Sequence, residues 1–211
     1  MSRHILIVAA AFALLAGTGS VRAENPPGKE GSARLSFGVE WGYDATVLEL
    51  HHYNYMDAAD GFRIDDESAT PMFYSNGHAT AHVTLEFARR WALGINAGYA
   101  GVFQRTRIFP LALRSTFFFD SFRSDGQFIF LEGGAGLHET RKSVSPFARI
   151  GYGYRAVLSR KSSIDFLASI RTVADHPPIY DSSIPGYIAD EDIRRSDALY
   201  NALILSVALN F

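Results

Sequence analysis

Apolar and polar residues alternate with a period of two through most of this chain. Leu35, Phe37, Val39, Trp41 and Tyr43 hold odd positions, against Ser36, Gly38, Glu40, Gly42 and Asp44 at even ones. The rhythm returns in His78–Ala88, Leu93–Gln104, Phe109–Phe119, Gln127–His138, Phe147–Leu158, Ser163–Val173 and Leu199–Phe211. A period of two marks a strand with one apolar and one polar face, so the first strand, Leu35–Asp44, and these seven make eight. The last strand sets Leu203, Leu205, Val207, Leu209 and Phe211 on its apolar face, and the chain ends on that ring.

The connections alternate in kind. Tight turns are expected near 89–91, 120–126 and 159–162, and polar loops at 45–77, 105–108, 139–145 and 174–197. An even strand number with turns at one end and loops at the other predicts an all-β, eight-stranded antiparallel up-and-down transmembrane β-barrel over residues 33–211. A soluble lipocalin-like barrel also has eight strands, but buries its apolar side chains and turns its charges outward.

The placement of charge bears on that choice. Glu40, Asp44, Glu86, Arg114, Glu132, Arg149, Arg155, Asp165 and Arg171 all fall on the face opposite the large apolar side chains. An Arg on a lipid face at mid-bilayer would cost roughly 2–4 kcal/mol. The same polar face carries Gly and Ala, which suits the narrow interior of an eight-stranded barrel, wide enough only for side chains. The nine residues are therefore expected to form a buried salt-bridge network that fills the lumen, each charge needing a partner. The alternative use of such a face is a narrow conduit for ions or protons. Trp41, Tyr43, Trp91, Phe109, Phe119, Tyr200 and Phe211 are expected in interfacial girdles, whereas Phe128, Phe130 and Phe147 face inward.

The N-terminus carries Arg3, the apolar run Ile5–Ala16 and small residues up to Ala23. This is the pattern of a cleaved secretory signal peptide over 1–23; the run is too short for the roughly 20 residues of a membrane-spanning helix. Residues 24–32 read as a periplasmic leader. The remaining 188 residues hold 18 basic and 22 acidic side chains, a net charge of −4 that argues against a nucleic-acid partner. There is no Cys, hence neither a disulfide framework nor a lipoprotein anchor. A mean hydropathy of zero suits a barrel, in which only alternate residues meet lipid.

On these residues, and on the terminal Phe211, the chain resembles the small eight-stranded outer-membrane proteins of the OmpA transmembrane-domain and OmpX type. The resemblance rests on topology over nearly the whole chain. It implies location in the bacterial outer membrane, Phe211 as an assembly signal read by the assembly machinery, contact with outer-membrane lipid and lipopolysaccharide, and extracellular loops that carry recognition of an external ligand or adhesion. No periplasmic domain is expected after the barrel.

Two chemistries compete with a purely structural role. Some eight-stranded barrels modify lipid A, and His138 with Glu139 and Ser143 or Ser145 supplies residue types for acyl transfer. Ser75-Asn76-Gly77 resembles part of a deacylase signature, but Phe73 stands where its His should be and the motif comes too early in the chain. The acidic residues Asp57, Asp60, Asp65, Asp66 and Glu67 fail as a calcium loop, because Met56 and Ala58 fall on ligand positions. No cofactor or metal is assigned.

Overall fold

Every alternating segment forms a strand. In the computed structural model, which describes residues 33–57, 61–87, 89–104, 106–139, 143–181 and 186–211, the strands are β1 (Arg34–Met56), β2 (Arg63–Phe87), β3 (Trp91–Phe103), β4 (Thr106–Phe118), β5 (Gly126–His138), β6 (Val144–Val157), β7 (Ser163–Asp175), β8 (Tyr180–Asp181), β9 (Gly186–Tyr187) and β10 (Ile193–Asn210). The expected signal peptide and leader lie outside the described residues. Strands β1 to β7 and β10 pair antiparallel, each with its neighbours, and close where β10 meets β1. β8 and β9 pair only with each other, within the last connection, and a single 3-10 turn (Asp190–Asp192) precedes β10.

The ring closes at the two ends of the chain. Phe211 N–H donates to Phe37 O (2.8 Å) and Phe37 N–H to Phe211 O (3.2 Å). Large apolar side chains point away from the ring: Leu131, Ile150 and Leu205 are 60%, 61% and 66% exposed. Trp41, Tyr43, Trp91, Phe119 and Phe211 are exposed as the pattern predicts. Two of the expected girdle residues differ: Phe109 is half-buried, against Tyr99, and Tyr200 is buried inside, stacked on Phe103. Tyr200 sits on the inward parity of β10. Phe103 is turned from the apolar parity of β3 by a bulge between Gly101 and Phe103, since one extra residue reverses the facing of everything after it.

The largest departure from expectation lies at 45–77. This stretch is not a loop. β1 and β2 stay paired to Met56↔Arg63, and β1 with β10 to Tyr55↔Ile193. β3 joins β2 only from His78↔Ala100, and β7 joins β10 only from Ala198↔Asp175. A three-stranded sheet, β2–β1–β10, therefore continues beyond the ring. A membrane needs about 9–11 residues per strand; β1 and β2 have 23 and 25. Thr46, Val47, Tyr53 and Tyr55 favour a pleated strand, and an irregularity between Thr46 and Leu48 resets the parity where the extension begins. Pro71, which has no N–H to donate, sits on the edge strand beside it. The loop expected at 105–108 is likewise mostly strand, β4 beginning at Thr106.

Inside the ring, Phe118, Phe122, Phe128, Phe130 and Leu167 form one apolar cluster, and Val102, Ile108, Phe147, Val173 and Tyr200 a second. Phe122 comes from the turn between β4 and β5, which folds back into the interior. The aromatic cluster depends on two glycines. A Cβ on Gly153 would lie 2.2 Å from the Phe128 ring, and one on Gly151 2.4 Å from Phe130. Gly153→Ala should cost about 1–3 kcal/mol through overpacking, read as a lower urea midpoint for unfolding in detergent micelles. An unchanged midpoint would mean that the Phe128 ring has room to move.

Candidate functional site

Each strand in the ring delivers polar side chains to the interior at alternate positions, and the nine charges singled out from the sequence meet there in two groups. Glu40, on β1, is the centre of the larger. Its carboxylate accepts from Arg149 Nη2 (2.8 Å) and Ser206 Oγ (2.8 Å), and pairs with Arg114 Nη2 (2.8 Å). Arg114 also reaches Glu132 through Nε (2.7 Å) and Nη2 (2.5 Å), and Asn96 donates to the same carboxylate (2.8 Å). Arg149 Nε donates to Ser169 Oγ (2.8 Å). One strand turn along β1, Asp44 meets Arg171 Nη2 (2.9 Å), which also donates to Gly101 O (2.7 Å).

The second group lies toward the tight turns. Arg155 grips Asp165 with two parallel bonds, Nε–Oδ1 2.7 Å and Nη2–Oδ2 2.8 Å. Its Nη1 donates to Glu86 (2.8 Å) and to Phe122 O (3.2 Å), which ties the inturned β4–β5 turn to the network. Asn210 Nδ2 donates to Asp165 (3.1 Å), and its Oδ1 lies 2.8 Å from His82 Nε2. Bidentate, desolvated pairs of this kind are the strong form of the interaction. The guanidiniums also lie on aromatic faces: Arg114 and Arg149 are 4.6 and 5.2 Å from the Phe130 centroid, and Arg155 is 4.6 Å from that of Phe118.

The main residue absent from the sequence-based set is His78. Its Nδ1 lies 2.6 Å from Asp44 and its Nε2 3.3 Å from Glu40. A neutral imidazole has one N–H, so facing two carboxylates calls for the doubly protonated ring. Among the nine, five carboxylates face four guanidiniums; His78 and Arg34, whose Nε lies 3.8 Å from Glu86, also face these carboxylates. The position of His78 in the alternation marked it only as inward and polar. Asn96, Ser169, Ser206 and Asn210 were equally anonymous in sequence, because a small polar residue on the inward parity does not announce which charge it serves. Beside His78, Glu132, Arg149 and Arg171 the interior leaves a cavity of only about 20 Å³.

Near the opposite end of the interior, Ser145, His138 and Asp175 come together. His138 Nε2 is 2.6 Å from Ser145 Oγ and 3.1 Å from Asp175 Oδ1, and Ser145 Oγ donates to Asp175 (3.0 Å). An activated serine needs the acid on the imidazole nitrogen opposite the one that takes its proton. Here serine and acid share one nitrogen, and Ser145 is fully buried. Glu139 lies at the surface facing Arg107 at 4.0 Å, and the Ser143 hydroxyl is buried separately. Ser75 bonds the Tyr43 hydroxyl.

On the extended sheet, consecutive side chains take opposite faces. His51 pairs with Asp66 (3.1 Å) and stacks on Tyr53; His52, on the other face, pairs with Asp65 (2.8 Å). No three described His, Asp or Glu residues are placed to hold one metal ion; Asp60 lies outside the described residues. The His52 hydrogen bond holds Asp65 below the usual carboxylate range, and the Arg195 hydrogen bond does the same for Asp197. Burial, helped by Glu49, pushes the Tyr53 phenol up.

No family model and no curated protein sequence matches the chain. Among solved structures it is similar to the outer membrane protein OprG from Pseudomonas aeruginosa, 9% identical, over 86% of this chain and 98% of that one, with a TM-score of 0.49. It is similar to Neisserial surface protein A, 8% identical, over 85% and 97%, TM-score 0.40. It is similar too to Ail, the attachment invasion locus protein of Yersinia pestis, solved with the heparin analogue sucrose octasulfate, 12% identical, over 87% and 100%, TM-score 0.38. The likeness is one of fold. The eight-stranded closed ring rests on the strand pairing itself.

Two outcomes follow from the geometry. Arg149→Met leaves Glu40 short of a partner in a dry interior and should cost about 3–5 kcal/mol, measured by urea unfolding in micelles; a loss under 1 kcal/mol would show that Arg114 and His78 suffice. Asp65 and Asp197 have depressed folded pKa values. Their contribution is present above the ordinary value of about 3.9 and is lost as pH falls through the folded one. Amide exchange at 63–67 and 195–197 should therefore accelerate below about pH 4 while the ring stays protected. Equal acceleration in the ring would contradict this.

Proposed function

We propose that this chain is a non-enzymatic integral protein of the bacterial outer membrane, with a lumen plugged by its own side chains. The extended sheet and the connection between β7 and β10 form its working surface, for recognition, adhesion or envelope integrity. One observation carries the reading. The ring is closed, large apolar side chains cover its exterior, and the nine charges singled out from the sequence lie inside. A soluble barrel of this size would gain nothing from exposing Leu131, Ile150 and Leu205 while burying nine ions. In lipid the same arrangement is obligatory, since the exterior must be apolar and the backbone must have no open edge.

The remaining assignments follow from that location. Lipid and lipopolysaccharide would surround the apolar exterior. Phe211, on the closing strand, would be the signal read by the assembly machinery. The long strands β1 and β2 would hold their distal halves outside the cell. The paired charges and the aromatic cluster support a sealed lumen rather than a conduit.

Detergent-extracted outer membrane run on cold gels tests this. The unheated protein should migrate faster than the heated one, and protease should cut only within the extended sheet and the 176–192 connection. A soluble periplasmic protein with no shift would overturn the membrane reading. Planar bilayers should show no unitary conductance; steps that change with Glu132→Gln or Arg114→Gln would assign the lumen a transport role. Lipid A from cells with and without the gene should carry the same acyl chains, and a difference that depends on His138 would make the protein an enzyme.

A further inference from the structure

Up-and-down connectivity brings the β2–β3, β4–β5 and β6–β7 turns to one end of the ring, together with the start of β1 and Phe211. That end is basic. Arg89 and Arg90 form the tip of the first turn, Arg123 lies in the second, and Arg160 and Lys161 form the tip of the third; all five are exposed. Arg34, at the start of β1, donates to Arg160 O (3.4 Å) and Lys161 O (3.0 Å) and faces Glu86 at 3.8 Å, so its charge belongs to the interior. The exposed carboxylates described at this end are Asp120 and Asp125, both on the β4–β5 turn, and the chain-terminal carboxylate at Phe211 adds a third. Asp125 is turned to the backbone, its Oδ1 accepting from Val157 N–H (2.6 Å).

Most of these cations are uncommitted. The side chains of Arg89, Arg160 and Lys161 enter no hydrogen bond or ion pair among the described residues. Arg90 uses only its Nε, on Asp120 O (3.2 Å). The outward row just inside the turns sets them beside lipid. Phe87 and Trp91 pair on either side of Arg89 and Arg90, and the Trp91 ring packs on Phe117 at 5.0 Å. Leu158, 59% exposed, immediately precedes the third turn, and Tyr154 pairs with Phe166 below it. Outward aromatic rings mark the membrane interface, and a Lys or Arg just beyond them extends its charged head into the headgroup layer. The other end has the opposite sign. Around the extended sheet and the β7–β10 connection, the described carboxylates outnumber the guanidiniums of Arg63, Arg194 and Arg195.

We infer that the turn end of the ring binds anionic phospholipid headgroups from the leaflet around it. Phosphodiester oxygens accept from Arg89, Arg90, Arg160 and Lys161, and the acyl chains lie against Phe87, Trp91, Tyr154 and Leu158. A zwitterionic lipid presents the same phosphate, but its own ammonium offsets that charge. Five exposed cations against three carboxylates therefore favour a headgroup of net negative charge. Because the far end is acidic, the preference belongs to one leaflet. The inference rests on the membrane reading above and names the class of lipid which that reading leaves open.

The test is electron spin resonance of the full-length protein in phosphatidylcholine vesicles, with trace spin-labelled phosphatidylglycerol or phosphatidylcholine. The immobilised fraction of each label gives its relative association with the protein. Phosphatidylglycerol should be preferred about fivefold, the factor one cation supplies beside an anionic headgroup. Arg89→Gln, Arg160→Gln and Lys161→Gln combined remove no side-chain contact of the fold and should bring the two lipids to parity. Arg63→Gln with Arg194→Gln, at the opposite end, should leave the preference unchanged. Equal association of both lipids with the unaltered protein, a preference that survives the triple replacement, or one that vanishes with the opposite-end pair would each overturn the inference. The cold-gel shift of the same preparation separates the two levels. A protein lacking it loses the membrane reading and the headgroup site together; a shifted protein without the preference loses the headgroup site alone.

Discussion

An ion in a dry interior must be matched, and the whole architecture follows from meeting that demand inside a ring of eight strands. Within the ring, the nine charges singled out from the sequence take the inward parity, and the interior of an eight-stranded barrel is too narrow to hold them with bulk water. Glu40 shows the result. It takes Arg114, Arg149, Ser206 and His78 from four other strands, so no single hairpin can satisfy it. The rest of the interior accommodates that arrangement: glycines open space for the phenylalanines, and the phenylalanines support the guanidiniums from below.

The Ser145–His138–Asp175 cluster has the residue types of a hydrolase without the geometry, and its serine is sealed. It belongs with the other buried polar groups that find partners in each other. The sheet beyond the ring differs in kind. Its charges are exposed, paired across strands at the surface, and arranged in rows that differ from one pleat to the next.

How legible all this was in the chain depends on what each face touches. Between Leu35 and Asp44, or Gln127 and His138, one face is apolar and exposed and the other holds the buried charges, so parity reads directly from the residues. Between Ala45 and Gly77 the sheet continues beyond the closed ring. Leu50 then alternates with His51 and Glu49, Asp65 follows Ile64, and the period of two carries no contrast, although the backbone pairs as before. Bulges defeated parity a second way: one extra residue near Val102 sent Phe103 inward. His78 was placed correctly as inward and polar, but its role is set by Asp44 and Glu40 together, a geometry that appears only when strands are in register. The lumen charges could be gathered from parity alone; their partners could not.

The joint between β1 and β10 has a consequence for how the molecule is made. Phe37 and Phe211 exchange hydrogen bonds across 173 intervening residues of chain, and the loop-closure entropy for such a contact must be met before any of its enthalpy returns. Meanwhile Ser206 can reach Glu40, and Asn210 can reach Asp165, only once the final strand has docked. Without β10 the other seven strands of the ring would therefore be an open sheet with half-solvated ions on one side. β10 follows every other strand of the ring in chain order, so closure waits for it and the buried ions are matched together rather than one by one.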